Sequence, residues 1–128
     1  MTKLYEEIEV TRVSKRLNDA LLVAGDFALS AGFGTTASVA VTAGSTDERG
    51  RITVTSSGTG QGANPTVTLT FKKKFDVAPV AAMACRGGGS QRTVPVEVVS
   101  QSVTTLVIAL LGTPVAAETY QILWSLDP

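Results

Sequence analysis

The sequence contains no histidine, a single cysteine and only 5% aromatic residues. The missing histidine removes the commonest general base and the commonest transition-metal ligand. One cysteine, Cys85, allows no intramolecular disulfide. Without histidine it supports neither a Cys–His nucleophile nor a zinc site of ordinary type. Cys85 closes the apolar run Val80-Ala81-Ala82-Met83-Ala84-Cys85, where a free thiol acts as a small buried hydrophobe. No cofactor is expected.

Charge is scarce as well. Charged residues make up 17% of the chain and the net charge is zero, against about 25% charged in ordinary soluble domains. Nothing steers such a protein toward nucleic acid or an acidic membrane surface. More surface than usual is left to be covered, and self-association covers it most simply. The one basic run, Lys72-Lys73-Lys74, is followed by Asp76. It reads as a solvated loop or a blunted strand edge, with phosphate binding as the alternative. No apolar stretch approaches the ~20 residues of a membrane helix, so no membrane insertion is expected. Lys3, Glu6, Glu7 and Glu9 fall where a signal peptide would need its apolar segment. Synthesis in the cytoplasm, without export by the usual route, is the expectation.

What is present is one domain's worth of chain. At 128 residues a globular fold buries about two-thirds of its unfolded surface. Composition changes near residue 26. Residues 1–26 hold nine of the 22 charges, and the rest is rich in Thr, Val, Ala, Ser and Gly. This divides the chain into an N-terminal arm, 1–26, and a β domain, 27–128. Within the arm, Val10, Val13, Leu17, Ala20 and Ala24 follow helical 3-4 spacing, and Ser14 and Gly25 suit a cap and a stop. Ile8-Glu9-Val10-Thr11 alternates like a strand instead. The arm either packs on its own domain or serves as an anchor or oligomerisation element, with Val10, Val13, Leu17 and Leu21 as the candidate anchoring side chains.

From Phe27 onward the pattern is β. Strands are expected over 37–42, 51–55, 66–71, 79–86, 93–100, 104–111 and 119–126. The clearest sets Val67, Leu69 and Phe71 inward and Thr66, Thr68 and Thr70 outward. Tyr120, Ile122, Trp124 and Leu126 share a face in the last, and Trp124 is expected in the core. Pro95 signals an edge or a bulge in the fifth. Seven or eight short strands between frequent turn signals predict an antiparallel, jelly-roll or Greek-key-like β-sandwich. One strand breaks the alternation: Leu106-Val107-Ile108-Ala109-Leu110-Leu111 is apolar throughout. Either the N-terminal segment or another subunit covers it. The low charge favours the subunit and makes Leu106, Val107, Ile108, Ala109 and Leu111 the candidate oligomer interface.

Chemistry is hard to place. The carboxylates are scattered, and no pair can be assigned to one cleft as glycoside hydrolysis requires. Asp47-Glu48 reads as a solvated turn, with a calcium loop as the alternative. Gly58-Thr59-Gly60-Gln61-Gly62 and Gly87-Gly88-Gly89 lack the Lys-Ser/Thr and the helix of a phosphate loop, and read as connections. Phe33, between Gly32 and Gly34, is either an exposed stacking residue or tucked into its own or a neighbouring subunit.

Several stretches nevertheless form a pattern. Leu29-Ser30-Ala31-Gly32-Phe33-Gly34-Thr35-Thr36-Ala37-Ser38-Val39 resembles a β domain of tailed-bacteriophage virion proteins. So do Asp47-Glu48-Arg49-Gly50-Arg51-Ile52-Thr53-Val54, Ala63-Asn64-Pro65-Thr66-Val67-Thr68-Leu69-Thr70-Phe71, Gly112-Thr113-Pro114-Val115-Ala116 and the closing residues 120–124. The resemblance spans about residues 27–126. It implies a homo-oligomer, often a trimer, on a virion surface, and transfers no active site. The expectation is a non-enzymatic structural protein, a capsid decoration or short head fibre contacting major capsid or tail proteins. The alternative is a tail-fibre or tail-tip module binding a receptor or host-surface glycan. Its candidate binding loops, 58–64 and 87–92, carry Gln61, Asn64, Gln91 and Arg92, since rigid sandwiches display function on loops.

Overall fold

The computed structural model describes residues 20–87 and 92–127. They form nine strands: β1 (Phe27–Leu29), β2 (Ser38–Val41), β3 (Arg49–Thr55), β4 (Thr66–Thr70), β5 (Val80–Gly87), β6 (Arg92–Thr93), β7 (Val96–Gln101), β8 (Thr105–Leu110) and β9 (Thr119–Asp127). Short 3-10 turns at Ala24–Asp26 and Ala31–Phe33 flank β1. The strands make two sheets, ordered β1-β4-β8-β7 and β2-β3-β9-β5-β6. All pairings are antiparallel. The protein is a β-sandwich, as the strand pattern predicts. β2–β3, β5–β6 and β7–β8 pair as sequence neighbours, and the other connections pass between the sheets.

Alternation builds the core. Ile52 and Val54 of β3, Val67 and Leu69 of β4, Leu106, Ile108 and Leu110 of β8, and Tyr120, Ile122, Trp124 and Leu126 of β9 meet between the sheets. Each such side chain, fully buried, is worth about 1.5–3 kcal/mol. Phe27 of one sheet meets Trp124 of the other with ring centroids 5.6 Å apart. Gly50 pairs with Trp124 across β3 and β9. A Cβ there would lie 2.5 Å from the indole ring, so only glycine lets the ring lie over β3. The strand expected over 51–55 starts two residues earlier, at Arg49, and so includes Gly50.

The expected strand 93–100 is two strands in different sheets. The Val94 amide donates to the Cys85 carbonyl (2.9 Å) in one sheet, and the Pro95 carbonyl accepts from the Leu111 amide (2.9 Å) in the other. Proline, lacking a donor, suits the corner. A bulge between Val98 and Ser100 follows in β7.

The apolar strand β8 is covered by this chain's own fold. Leu106 and Ile108 point into the sandwich and are buried. Ala109 lies on the opposite face but is also buried, flanked by its register partners Thr66 and Glu97. Leu106, Ile108 and Ala109 therefore offer nothing to a second subunit. Of the candidate interface, only Val107 and Leu111 keep exposed surface.

The arm's last residues belong to the domain. Leu22 is a core residue, and its amide donates to the Ser45 carbonyl at 2.9 Å. Leu21, the next side chain, is 61% exposed. Val10, Val13 and Leu17 lie outside the described residues.

Candidate functional site

The strand directions give the sandwich two distinct ends. Segments 20–26, 42–48, 71–79 and 102–104 gather at one; segments 30–37, 56–65 and 111–118 gather at the other. The first end carries Asp26, Asp47, Glu48, Lys72, Lys73, Lys74 and Asp76, whereas the described loops of the second carry only Glu118.

At the charged end, side chains hold the loops. Asp47, expected in a solvated turn, is 2% exposed. Its carboxylate accepts the Lys72 amide at 2.9 Å and the Lys73 amide at 3.0 Å. Its carbonyl accepts the Trp124 indole N–H at 3.2 Å. The residue is a clamp between two loops over the core, not a solvated turn. Lys72 turns its ammonium to Asp26, with Nζ 3.2 Å from Oδ1. The other Asp26 oxygen caps the Val23 amide at 2.8 Å. The lysine run thus pins the entering N-terminal segment to the domain.

At the neutral end, the backbone does most of this work. Thr35 and Thr36 amides donate to the Thr59 and Ser57 carbonyls, Gly62 to Gly32, and Ala117 to Ser56. Ser56 is buried and donates to the Phe33 carbonyl at 2.7 Å. Phe33 is fully buried in its own chain, so it is no stacking platform. Gly34 adopts φ 110° and ψ 160°, backbone nearly restricted to glycine, and a Cβ there would strike the Ser57 carbonyl oxygen at 2.1 Å.

The candidate binding loop 58–64 lies at this same neutral end, but its amide side chains are partly committed. Gln61 Nε2 donates to Ser56 Oγ (3.3 Å) and to the Gly58 carbonyl (3.2 Å). Asn64, at φ 53°, exchanges two bonds with Gly112: its amide donates to the carbonyl (2.8 Å), and its Oδ1 accepts the Gly112 amide (2.9 Å). Arg92 opens β6, and Gln91 lies outside the described residues. Asp47, Ser56 and Phe33 are opaque to pattern reading because their roles depend on partners 23 or more residues away in sequence.

Cys85 is buried, and burial pushes its thiol up from 9.0 to about 11, leaving little thiolate at neutral pH. Among the described residues, no group of three or more His, Cys, Asp or Glu could hold a metal ion. Also among them, no helix is long and apolar enough to cross a membrane. No family model, curated protein or solved structure matches the chain.

Proposed function

We propose that this is a non-enzymatic structural protein of a bacteriophage virion surface, a capsid decoration or short head fibre that associates with itself and with major capsid or tail proteins. The resemblance of residues 27–126 to tailed-phage β domains supplies the setting. The observation that carries the reading is the polarity of the sandwich. The N-terminal segment enters at the charged end, pinned by Asp26 and Lys72, while the described loops of the opposite end carry only Glu118. An arm fixed at one end and a rigid loop surface at the other suit a protein held on a shell and displayed outward.

The neutral end also favours a second reading, a tail-tip module for receptor or host glycan. Its loops present hydroxyls and amides on a braced backbone, which is the chemistry that recognises sugars.

One experiment separates the two. Particles of a phage encoding this chain are purified and labelled with an antibody to it for electron microscopy. Label on the head supports the decoration, label at the tail tip supports the receptor module, and particles without the protein overturn both. Removing residues 1–19, while keeping Leu22 and Asp26, is expected to leave the domain folded and unable to join particles. Normal incorporation of the shortened protein would rule out the arm as anchor.

A further inference from the structure

The sandwich has one long strand whose outer edge is largely unpaired among the described residues. β6 covers only Arg86 and Gly87 of β5, with the Val94 amide reaching Cys85. No described strand pairs with the outer edge of residues 80–84. The other edges are short or blunted. β1 has three residues and β2 four, and β7 carries a bulge and Glu97. Bulges, charges and shortness are how sheets avoid pairing with other chains. Residues 80–84 have none of these.

The ladder fixes which backbone groups face outward. Glu48 and Leu126, and Ser56 and Glu118, bond across β3 and β9, so the even residues of β9 face β3 and the odd ones face β5. The β5–β9 register then turns Val80, Ala82 and Ala84 toward β9. Ala81 and Met83 direct N–H and C=O away from the sheet. The Val94–Cys85 bond on that same outer side agrees. Val80, Ala82 and Ala84 expose their side chains on the solvent face, Val80 to 68% and the neighbouring Leu123 to 48%.

We propose that this edge pairs with the same edge of a second copy, antiparallel about a twofold axis at Ala82. Ala81 then exchanges both backbone bonds with Met83 of the other copy, and symmetrically, so the two five-stranded sheets become continuous. The exposed strip of Val80, Ala82 and Ala84 meets its own image. Charge decides the occupant. Residues 80–85 carry no charge, whereas residues 1–19 carry eight, so an identical neutral strand matches better than the chain's own N-terminal segment. The closed symmetry is isologous and twofold, in place of the threefold arrangement that the phage resemblance implies. The proposal does not depend on the virion reading.

The test is sedimentation velocity on the full-length protein. The wild type is expected to be a dimer. Ala82→Glu and Ala82→Lys each place like charges face to face at the axis and are expected to weaken dimerisation on the order of tenfold or more. Mixing the two variants restores a dimer, because opposite charges then meet. Emission of the buried Trp124 verifies the fold of each. A monomeric wild type, a trimer, an oligomer that both variants retain, or a mixture that stays monomeric overturns the proposal. Ala82→Cys gives an independent arm. Partners at a non-hydrogen-bonded antiparallel position lie about 4.5 Å apart between Cα atoms, within disulfide reach, so a mild oxidant should yield a covalent dimer. A monomer after that oxidation counts against the axis at Ala82.

Discussion

The two ends of the sandwich solve the same problem with different chemistry. Both must hold three or more loops against the rims of two sheets. The charged end adds carboxylates to its backbone bonds: Asp47 gathers two lysine amides, and Asp26 gathers an ammonium and an amide. The neutral end uses backbone bonds and uncharged hydroxyls and amides, with loop amides bonding loop carbonyls and Gly34 in a conformation that admits little else. Uncharged bracing holds the neutral loops without ionic groups, whereas the charged end leans on two carboxylates.

This contrast can be broken first at Gly34. Gly34→Ala adds a Cβ against the Ser57 carbonyl in strained backbone. The expected cost is about 3 kcal/mol or more, read from chemical denaturation; a loss under 1 kcal/mol would show that the neutral end yields easily. Asp47→Ala attacks the charged end. It strands two amides and loosens the loop whose carbonyl holds the Trp124 indole, at a cost of about 2–4 kcal/mol, with a change in Trp124 emission. Because Asp47 is buried, this loss should hardly change with salt; strong salt dependence would mean that its work is long-range charge.

Asn64 sharpens the comparison at smaller amplitude. Asn64→Ala loses the side-chain bond to Gly112 and strains a positive φ, for about 1–2 kcal/mol. Asn64→Gly keeps the backbone at ease and should cost less. Equal losses in the two variants would assign the residue's role to the side chain alone. The smallest effect is expected at Lys72→Ala. Its ion pair with Asp26 is partly exposed and is worth about 0.2–1 kcal/mol, shrinking with salt. A loss above 2 kcal/mol in molar salt would contradict that ranking.

Much of the architecture is legible in the sequence because alternation is a local signal. Thr66 to Phe71 and Tyr120 to Leu126 declare their inner faces by period alone, and the observed core contains them. β1, three residues long, is too short to show a period. Residues 93–100 look like one strand because propensity does not reveal a change of sheet at Pro95. The candidate site is less legible. The proposed binding loop 58–64 does reach one end, yet Gln61 and Asn64 spend hydrogen-bonding capacity on their own chain, a use set by Ser56 and Gly112.

By itself the sequence determined the class of fold, the inward faces of the main strands and the burial of Trp124 and Cys85. Those follow from hydrophobic period and from the cost of leaving apolar surface wet. Only the tertiary structure decided that Leu106, Ile108 and Ala109 are covered by their own chain, that Asp47 is a buried clamp, that the charged described loops gather at one end, and that among the described residues the edge of β5 at 80–84 stays open. Each of these depends on which distant segments become neighbours, and a local pattern carries no record of its partner.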